Sequence, residues 1–159
     1  MRGKQNVYTT QECYNMNEEY IIKQLSIFSE NKAGKLAAIA KVFQDSGVSV
    51  QAFNIAEANN FGVVRAIVDK PNVAFNAFAK ENYALKYTDV LAIKMRDVSG
   101  GLYEVVHPLG ELGVNIEYAY AFRSGEYGAL IVKVADIDSA IEKIKNSSLE
   151  LLPAKDYNF

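Results

Sequence analysis

The residues best placed for chemistry lie in a short polar turn that occurs twice. Residues 30–36 read ENKAGKL and residues 96–102 read RDVSGGL, so Gly34 and Gly100 stand 66 positions apart. Each turn follows an apolar strand pattern and opens an amphipathic helix pattern. The first N–H groups of a helix have no partner within the helix, and the helix dipole adds positive charge there. Each copy is therefore a candidate anion site.

The turns supply the first set of candidate binding residues. They are Asn31, Ala33, Gly34, Lys35 and Leu36 in the first copy, and Asp97, Ser99, Gly100, Gly101 and Leu102 in the second. Asn31 and Asp97 occupy equivalent positions, and both offer oxygen atoms that accept hydrogen bonds. Two other interpretations stay open, since both residues stand where a helix cap would be and the glycines can serve only to close the turn.

Composition and charge narrow the function classes. The net charge of −2 and the pI near 5.5 give no basic surface that would neutralise phosphates, so we expect no nucleic-acid partner. A lone cysteine, Cys13, cannot form an internal disulfide, which fits a reducing compartment, and we expect the cytoplasm. No apolar run reaches the roughly 18 residues of a membrane span, and none in the first 19 residues suits a signal peptide.

A repeat of 66 residues organises the chain from residue 20 onward. Without a gap it aligns Leu25 with Leu91, Ile27 with Ile93 and Gly47 with Gly113. Within each copy the apolar period switches between two and 3.6, which is typical of alternating strands and helices. The order is βαββαβ, an α+β fold in which a four-stranded antiparallel sheet carries both helices on one face.

The predicted elements follow from these periods. In the first copy they are strands 21–29, 48–57, 62–69 and 84–88, a helix 35–46 and a second helix from residue 71. In the second copy they are strands 90–95 and 149–152, a hairpin 114–134 and helices 101–112 and 136–146. Pro108 falls inside a predicted helix, where we expect a kink.

Enzyme motifs are missing from the sequence. There is no G-x-S-x-G, no P-loop and no H-E-x-x-H. His107 should point outward from its helix, with no cysteine or second histidine near it in sequence. We therefore predict a protein that is not an enzyme, with no catalytic residue, no cofactor and no metal site.

Residues 20–50 and 90–116 resemble the ACT domain, the small ligand-sensing module of amino-acid metabolism. The resemblance rests on a strand, a polar turn with Gly, Leu two residues on, and a Gly that ends the helix, all in two registered copies. It covers residues 20–152 and is similar to stand-alone tandem ACT proteins. It implies two ferredoxin-like units paired side by side through their second strands and first helices, and a homodimer is expected.

The resemblance also implies an amino acid bound at the interface between units. Its carboxylate would bind the turn N–H groups, and Asn31 or Asp97 would accept from its ammonium. Its side chain would lie against the second strand of the neighbouring unit. Those strand residues are Ile116, Tyr118 and Tyr120 for the first turn, and Ala52, Asn54 and Ile55 for the second. Tyr118 and Tyr120 would favour a bulky or planar ligand, although such an aromatic stripe also suits core packing.

These observations give a domain plan and a function. We expect an N-terminal tail at residues 1–19 with Met16 as a candidate start, ACT unit 1 at 20–88, ACT unit 2 at 89–152, and a C-terminal tail at 153–159. The predicted function is a cytoplasmic, amino-acid-binding regulatory protein that signals to a metabolic enzyme or a transporter. The alternative is a structural or protein-interaction module without a working ligand site.

Overall fold

A computed structural model describes residues 17–58 and 61–157 of the chain. The elements in order are β1 (Ile22–Glu30), α1 (Lys35–Asp45), β2 (Val50–Ala58), β3 (Phe61–Val68), α2 (Pro71–Lys80), β4 (Ala84–Met95), α3 (Gly101–Glu111), β5 (Ile116–Ser124), β6 (Tyr127–Val134), α4 (Ile137–Lys145) and β7 (Leu151–Leu152). A single 3-10 turn, Ala154–Asp156, follows. The predicted α+β class and the βαββαβ repeats are confirmed.

The helices end as the sequence predicts. After α1, Gly47 takes a left-handed φ of 65°, and the N–H of Val48 donates to the carbonyl of Phe43 at 3.0 Å. After α3, Gly113 takes a φ of 67°, and Val114 donates to Leu109 at 2.9 Å. Glycine is favoured here because a side chain would strain a left-handed residue. The next strand therefore starts at the same point in both units.

One long strand belongs to both units. The strand order is β2-β3-β1-β4-β6-β5, and β7 also pairs with β4. The first part of β4 pairs with β1 up to Val90, and the part from Leu91 to Met95 pairs with β6. The separately predicted strands 84–88 and 90–95 are thus one continuous strand. The expected boundary between residues 88 and 89 lies in the middle of it.

Each unit buries an apolar core between its helices and its sheet. In unit 1 the core includes Leu25 and Ile27 of β1 with Ile39 and Phe43 of α1. In unit 2 the equivalent strand positions are Leu91 and Ile93, packed beneath α3 and α4. The alternate residues of each strand point to the other face of the sheet, which carries no helix.

Those helix-free faces pack against each other. A third cluster joins Ile22 and Ile67 of unit 1 with Ala92, Ala129 and Ile131 of unit 2. The chain therefore stacks helices, sheet, sheet and helices in four layers. The units do not pair side by side through β2 and β5 within the chain, because those strands are the two ends of the strand order. The apolar side chains on both open faces account for the stacking, and side-by-side pairing between two chains stays a prediction.

Residues at both ends contact the body of the protein. Asn17 is buried, and its side-chain amide donates to Asp138 at 3.1 Å. Tyr157 is buried in the third cluster, with its ring edge-on to Phe122. Residues 17–19 and 153–157 are therefore not tails, since Tyr157 fills apolar space that the stacked sheets would otherwise leave. The N-terminal prediction for residues 1–16 lies outside the described residues.

Two further expectations can be placed on the structure. Pro108 lies inside α3, which runs as one helix from Gly101 to Glu111. Residues 59 and 60 lie outside the described residues, and β2 and β3 on either side pair antiparallel as predicted. Within residues 17–58 and 61–157, no helix has the length and apolarity needed to cross a bilayer.

Candidate functional site

The first turn presents the start of α1 to solvent. Gly34 is the N-cap residue, with a left-handed φ of 85°, and no side chain caps the helix. Residues 31–34 are exposed. Asn31 is thus not a helix cap, and the glycine is needed for the backbone conformation. The turn leaves the positive end of the helix dipole accessible to an anion.

A small ion-pair network surrounds this turn. Lys32 Nζ lies 3.2 Å and Lys35 Nζ lies 3.4 Å from the carboxylate of Glu30. Hydrogen bonds from Lys32 and then Lys35 hold the pKa of Glu30 below its ordinary value. The first turn therefore carries one carboxylate and two ammonium groups, so its local charge favours an anion.

The second turn has the same backbone but different side-chain chemistry. Gly100 has a φ of 89° and no side chain caps α3, so Asp97 is not a cap either. A Cβ on Gly101 would overlap the carbonyl oxygen of Arg96, which is why only glycine fits there. Asp97 lies 3.4 Å from Arg123. Arg96 hydrogen-bonds Glu104 and lowers the pKa of that carboxyl group.

Equivalent cavities lie beside the two turns. The unit 1 cavity has about 450 Å³ and the unit 2 cavity about 600 Å³. Glu30, Phe61 and Tyr83 line the first, and Arg96, Tyr127 and Leu149, each 66 positions later, line the second. The sequence predictions missed these cavities, although the repeat itself placed the residues at matching positions. Each cavity is lined by residues of its own unit alone.

A polar cluster lies between the stacked sheets. Gln24 is fully buried in β1; its amide nitrogen donates to the Tyr118 hydroxyl at 2.8 Å and its amide oxygen accepts from the Tyr120 hydroxyl at 2.9 Å. The guanidinium carbon of Arg65 stands 3.8 Å from the centre of the Tyr118 ring, and Arg65 donates to Asn54 at 3.4 Å. Burial raises the pKa of Tyr120 above its ordinary value.

The structure separates residues that the sequence predictions grouped. Gln24, which holds both tyrosines, lies six residues before Glu30 in an extended strand, or about 20 Å away. Tyr118 and Tyr120 therefore do not face the first turn of their own chain. Their side chains contact the helix-free face of unit 1. The sequence did not predict this contact. The premise for a bulky or planar ligand is not met within one chain.

The β2 candidates also divide between two faces. Asn54 pairs across the ladder with Arg65 and points between the sheets, whereas Ile55 pairs with Val64 and points to the helix side, where it is 48% exposed. Ala52 is buried in the third cluster, and Ile116 packs against the unit 2 core. None of the three β2 residues lines the cavity beside the second turn, and Ile116 of β5 does not line the cavity beside the first. Among the described residues, no group of three or more His, Cys, Asp or Glu side chains is arranged to hold a metal ion.

Comparison with protein families identifies the family of the chain. A family model described as an ACT domain pair matches residues 20–158, which is most of the chain. No curated protein matches the chain.

Solved structures share the architecture. Protein BT0572 from Bacteroides thetaiotaomicron is 36% identical, with 86% of this chain and 95% of that chain covered and a TM-score of 0.80. The ligand-free regulatory subunit of aspartate kinase from Thermus thermophilus is 14% identical, with 81% and 94% covered and a TM-score of 0.56. The corresponding subunit from Thermus flavus is 12% identical, with 80% and 92% covered and a TM-score of 0.51. At such identities the two Thermus subunits indicate the fold alone.

Proposed function

Because this chain belongs to the ACT domain pair family, we propose that it is a regulatory protein that binds a free amino acid and has no catalysis of its own. The ligand binds at a β-strand-to-helix turn, where a unit meets the edge of a unit from a second chain. In this proposal the chain passes ligand binding on to a separate enzyme, a role consistent with the fold that it shares with regulatory subunits of aspartate kinase. A cytoplasmic location belongs to the same proposal.

One observation carries the proposal: the uncapped helix start with a left-handed glycine recurs in both units. Gly34 and Gly100 have φ values of 85° and 89°, so the two turns present the same backbone. A free amino acid has a carboxylate for the helix N–H groups and an ammonium for nearby oxygen acceptors. Asn31 and Asp97 are the acceptors in equivalent positions.

The two turns should bind with unequal affinity. Beside the first turn, Lys32 and Lys35 outnumber the single carboxylate of Glu30. Beside the second, Asp97 is already paired with Arg123, which competes with a ligand ammonium. We therefore expect the first turn to hold the ligand more tightly. The tyrosines give no reason to restrict the ligand to planar side chains.

A thermal-shift screen of the twenty amino acids tests the proposal. An amino acid at 100 times its dissociation constant stabilises the folded state by about 2.7 kcal/mol, a shift of several degrees in melting temperature. Gly34→Val should abolish more of this shift than Gly100→Val. If no amino acid raises the melting temperature of the full chain at millimolar concentration, the regulatory binding function is wrong.

A specific observation favours a second candidate, a protein-interaction module. Phe53 and Ile55 on β2 are 56% and 48% exposed, which is unusual for a strand edge that meets only water. This candidate predicts a specific assembly whose stability does not respond to any amino acid. Titration calorimetry with the screened amino acids separates the two functions.

A further inference from the structure

Unit 2 covers only part of the helix-free face of unit 1. Along β1, Gln24 and Ser26 point to this face and are buried, whereas Phe28, the next residue on the same face, is 39% exposed. On β3, Phe61 pairs with Glu30 at the end of β1 and is 59% exposed. The cover that unit 2 provides therefore ends between Ser26 and Phe28.

The uncovered part of this face is apolar. Val63 stands opposite Phe28 on β1 and opposite Ala56 on β2, and Ala84 stands opposite Phe28 on β4. Residues directly opposite each other in an antiparallel ladder point to the same face. We name the surface formed by Phe28, Ala56, Phe61, Val63 and Ala84 the uncovered patch. It lies on the same sheet face as the third cluster, so it continues an interface that already exists within the chain.

Two of the equivalent positions in unit 2 are charged. The residues 66 positions after Phe28 and Ala84 are Lys94 and Glu150, whose side chains form an ion pair at 3.0 Å. Both side chains are exposed. At this end of its sheet unit 2 thus presents charges to water, where unit 1 presents an aromatic ring and a methyl group.

A third equivalent position in unit 2 is apolar and covered. Phe122 stands in the place of Ala56, and the ring of Tyr157 lies edge-on to it, with 5.9 Å between the ring centres. Tyr157 belongs to the segment after β7, residues 153–157, which we name the C-terminal strap. Unit 1 has no equivalent strap, because its last strand continues into unit 2 as β4. A cover for the uncovered patch therefore comes from outside unit 1.

The size of the uncovered patch suits a short extended segment. The patch crosses the four strands of unit 1 and is about two side chains long, or roughly 20 Å by 10 Å at ordinary strand spacings. Its area of roughly 200 Å² is well below the roughly 800 Å² that each partner buries in a standard protein interface. A second copy seated on this patch alone would bury too little surface for a stable dimer. An extended segment of about six residues has the length to cross it.

Charge around the uncovered patch favours an acidic segment. Lys86 is exposed and points to the same face as Ala84, two residues before it on β4. At the first turn, Lys32 and Lys35 outnumber the carboxylate of Glu30. Carboxylates on a docking segment would be attracted to these ammonium groups.

The protein's own N-terminal residues do not match this charge. Residues 1–16 contain two basic residues, Arg2 and Lys4, and one acidic residue, Glu12. Like charges on a segment and around its binding surface repel each other. Charge thus favours a segment of another protein over residues 1–16.

We propose that the uncovered patch binds an extended segment of a partner protein that carries an aromatic side chain beside at least one carboxylate. The aromatic ring packs on Phe28 and Phe61, as Tyr157 packs on Phe122 in unit 2. A carboxylate of the segment pairs with Lys86. The partner segment supplies to unit 1 the cover that the C-terminal strap supplies to unit 2.

The patch also adjoins the cavity beside the first turn, because Phe28 and Phe61 line both. An amino acid bound at that turn would lie next to the partner segment, which could then respond to the ligand. This consequence rests on the proposed function. The partner site itself needs no ligand, and its tests are run without amino acids.

Thiol labelling tests whether the patch is open in the isolated protein. Full chains carry Cys13→Ser, which removes the only cysteine, together with Phe61→Cys. We expect iodoacetamide to label them, at every protein concentration, within about threefold of the rate for Tyr103→Cys, a control position that is 63% exposed. Slow labelling at all concentrations would show that the chain covers its own patch. Labelling that slows as the concentration rises would show that a second copy covers it, and either result would overturn the proposal.

Peptide selection tests the chemistry of the segment. A display library of random peptides of about nine residues is selected on the immobilised full chain. We expect enriched peptides to combine an aromatic residue with Asp or Glu and to bind Phe61→Ser about tenfold more weakly or worse. Lys86→Glu, a surface change that leaves the apolar packing intact, should weaken binding in the same direction. Tyr103→Ser, which removes an exposed aromatic ring from α3, is the control and should bind the peptides unchanged.

Three results of the selection would overturn the partner site. They are the absence of any enriched peptide, enriched peptides without aromatic residues, and binding that neither Phe61→Ser nor Lys86→Glu weakens. A chain that binds the expected peptides but no amino acid refutes only the proposed function.

Discussion

Removing the Tyr120 hydroxyl should destabilise the protein because it leaves the buried amide oxygen of Gln24 without this donor. The ring stays in place, so packing is not lost. The hydroxyl donates to the Gln24 amide oxygen at 2.9 Å, and Gln24 is fully buried between the sheets. Tyr120→Phe keeps the ring but takes the donor from a buried acceptor. Because that oxygen stays buried without this hydrogen bond, the free energy of unfolding should fall by about 1–3 kcal/mol.

The pH dependence of stability gives a second signature of the same hydroxyl. Burial raises the pKa of Tyr120, so between the ordinary value near 10 and the folded value the unfolded chain loses a proton that the folded chain keeps. The stabilisation that comes from the raised pKa of Tyr120 is fully present below pH 10. Above it, the free energy of unfolding falls by about 1.4 kcal/mol per pH unit for this one group. Tyr120→Phe should remove that part of the slope.

Urea unfolding followed by circular dichroism at pH 7 to 11 measures both effects. Tyr103→Phe is the matched control, because Tyr103 is 63% exposed on α3 and should change the free energy of unfolding by less than about 0.5 kcal/mol. Combining Tyr120→Phe with Gln24→Leu should cost less than the sum of the two single changes. A Tyr120→Phe loss no larger than the control, or an unchanged slope above pH 10, would refute the buried hydrogen bond.

Three further predictions concern the turns and α3. Gly101→Ala should lower the free energy of unfolding by about 1–3 kcal/mol in urea melts, because a Cβ overlaps the Arg96 carbonyl oxygen; full stability would contradict the close packing. Lys32→Gln should raise the pKa of Glu30 in a carboxyl NMR titration, since Lys32 makes the largest contribution to lowering it. The stability that Glu30 adds is present above its ordinary pKa and is lost as the pH falls through the lower folded value. Pro108→Ala should raise the melting temperature, with up to about 3 kcal/mol regained inside the helix, and a lower melting temperature would show that the proline ring packs favourably.

Local rules predicted the elements and the two turns. Glycine at positions 34 and 100 has a left-handed φ, as expected of residues that close a turn before a helix. Asp136 caps α4 by accepting from the Ser139 N–H at 3.0 Å. These features depend on residues close together in sequence. The 66-residue repeat carried the glycine turn from one unit to the other, whereas the Asp136 cap has no counterpart at the equivalent Lys70.

The same local rules did not predict the contacts between the two units. Alternation along β5 showed that Tyr118 and Tyr120 share a face, but the partner of that face depends on how two sheets stack. Gln24 is a polar residue within a strand, yet unit 2 buries it completely. Its repeat equivalent, Val90, is apolar and buried, which was the available sign that this face is covered.

The shared strand β4 also bears on how the chain can be divided and how it responds. Residues 84–90 complete the sheet of unit 1, and residues 91–95 supply an inner strand to unit 2. The two units are joined by a continuous strand and not by a flexible linker. A cut after residue 88 would therefore divide β4 and leave part of a strand at the end of each half. A shift of β4 along its axis would slide the register in both sheets together. The second turn begins directly after Met95, so a ligand bound there would lie at the end of a strand that is also hydrogen-bonded into unit 1.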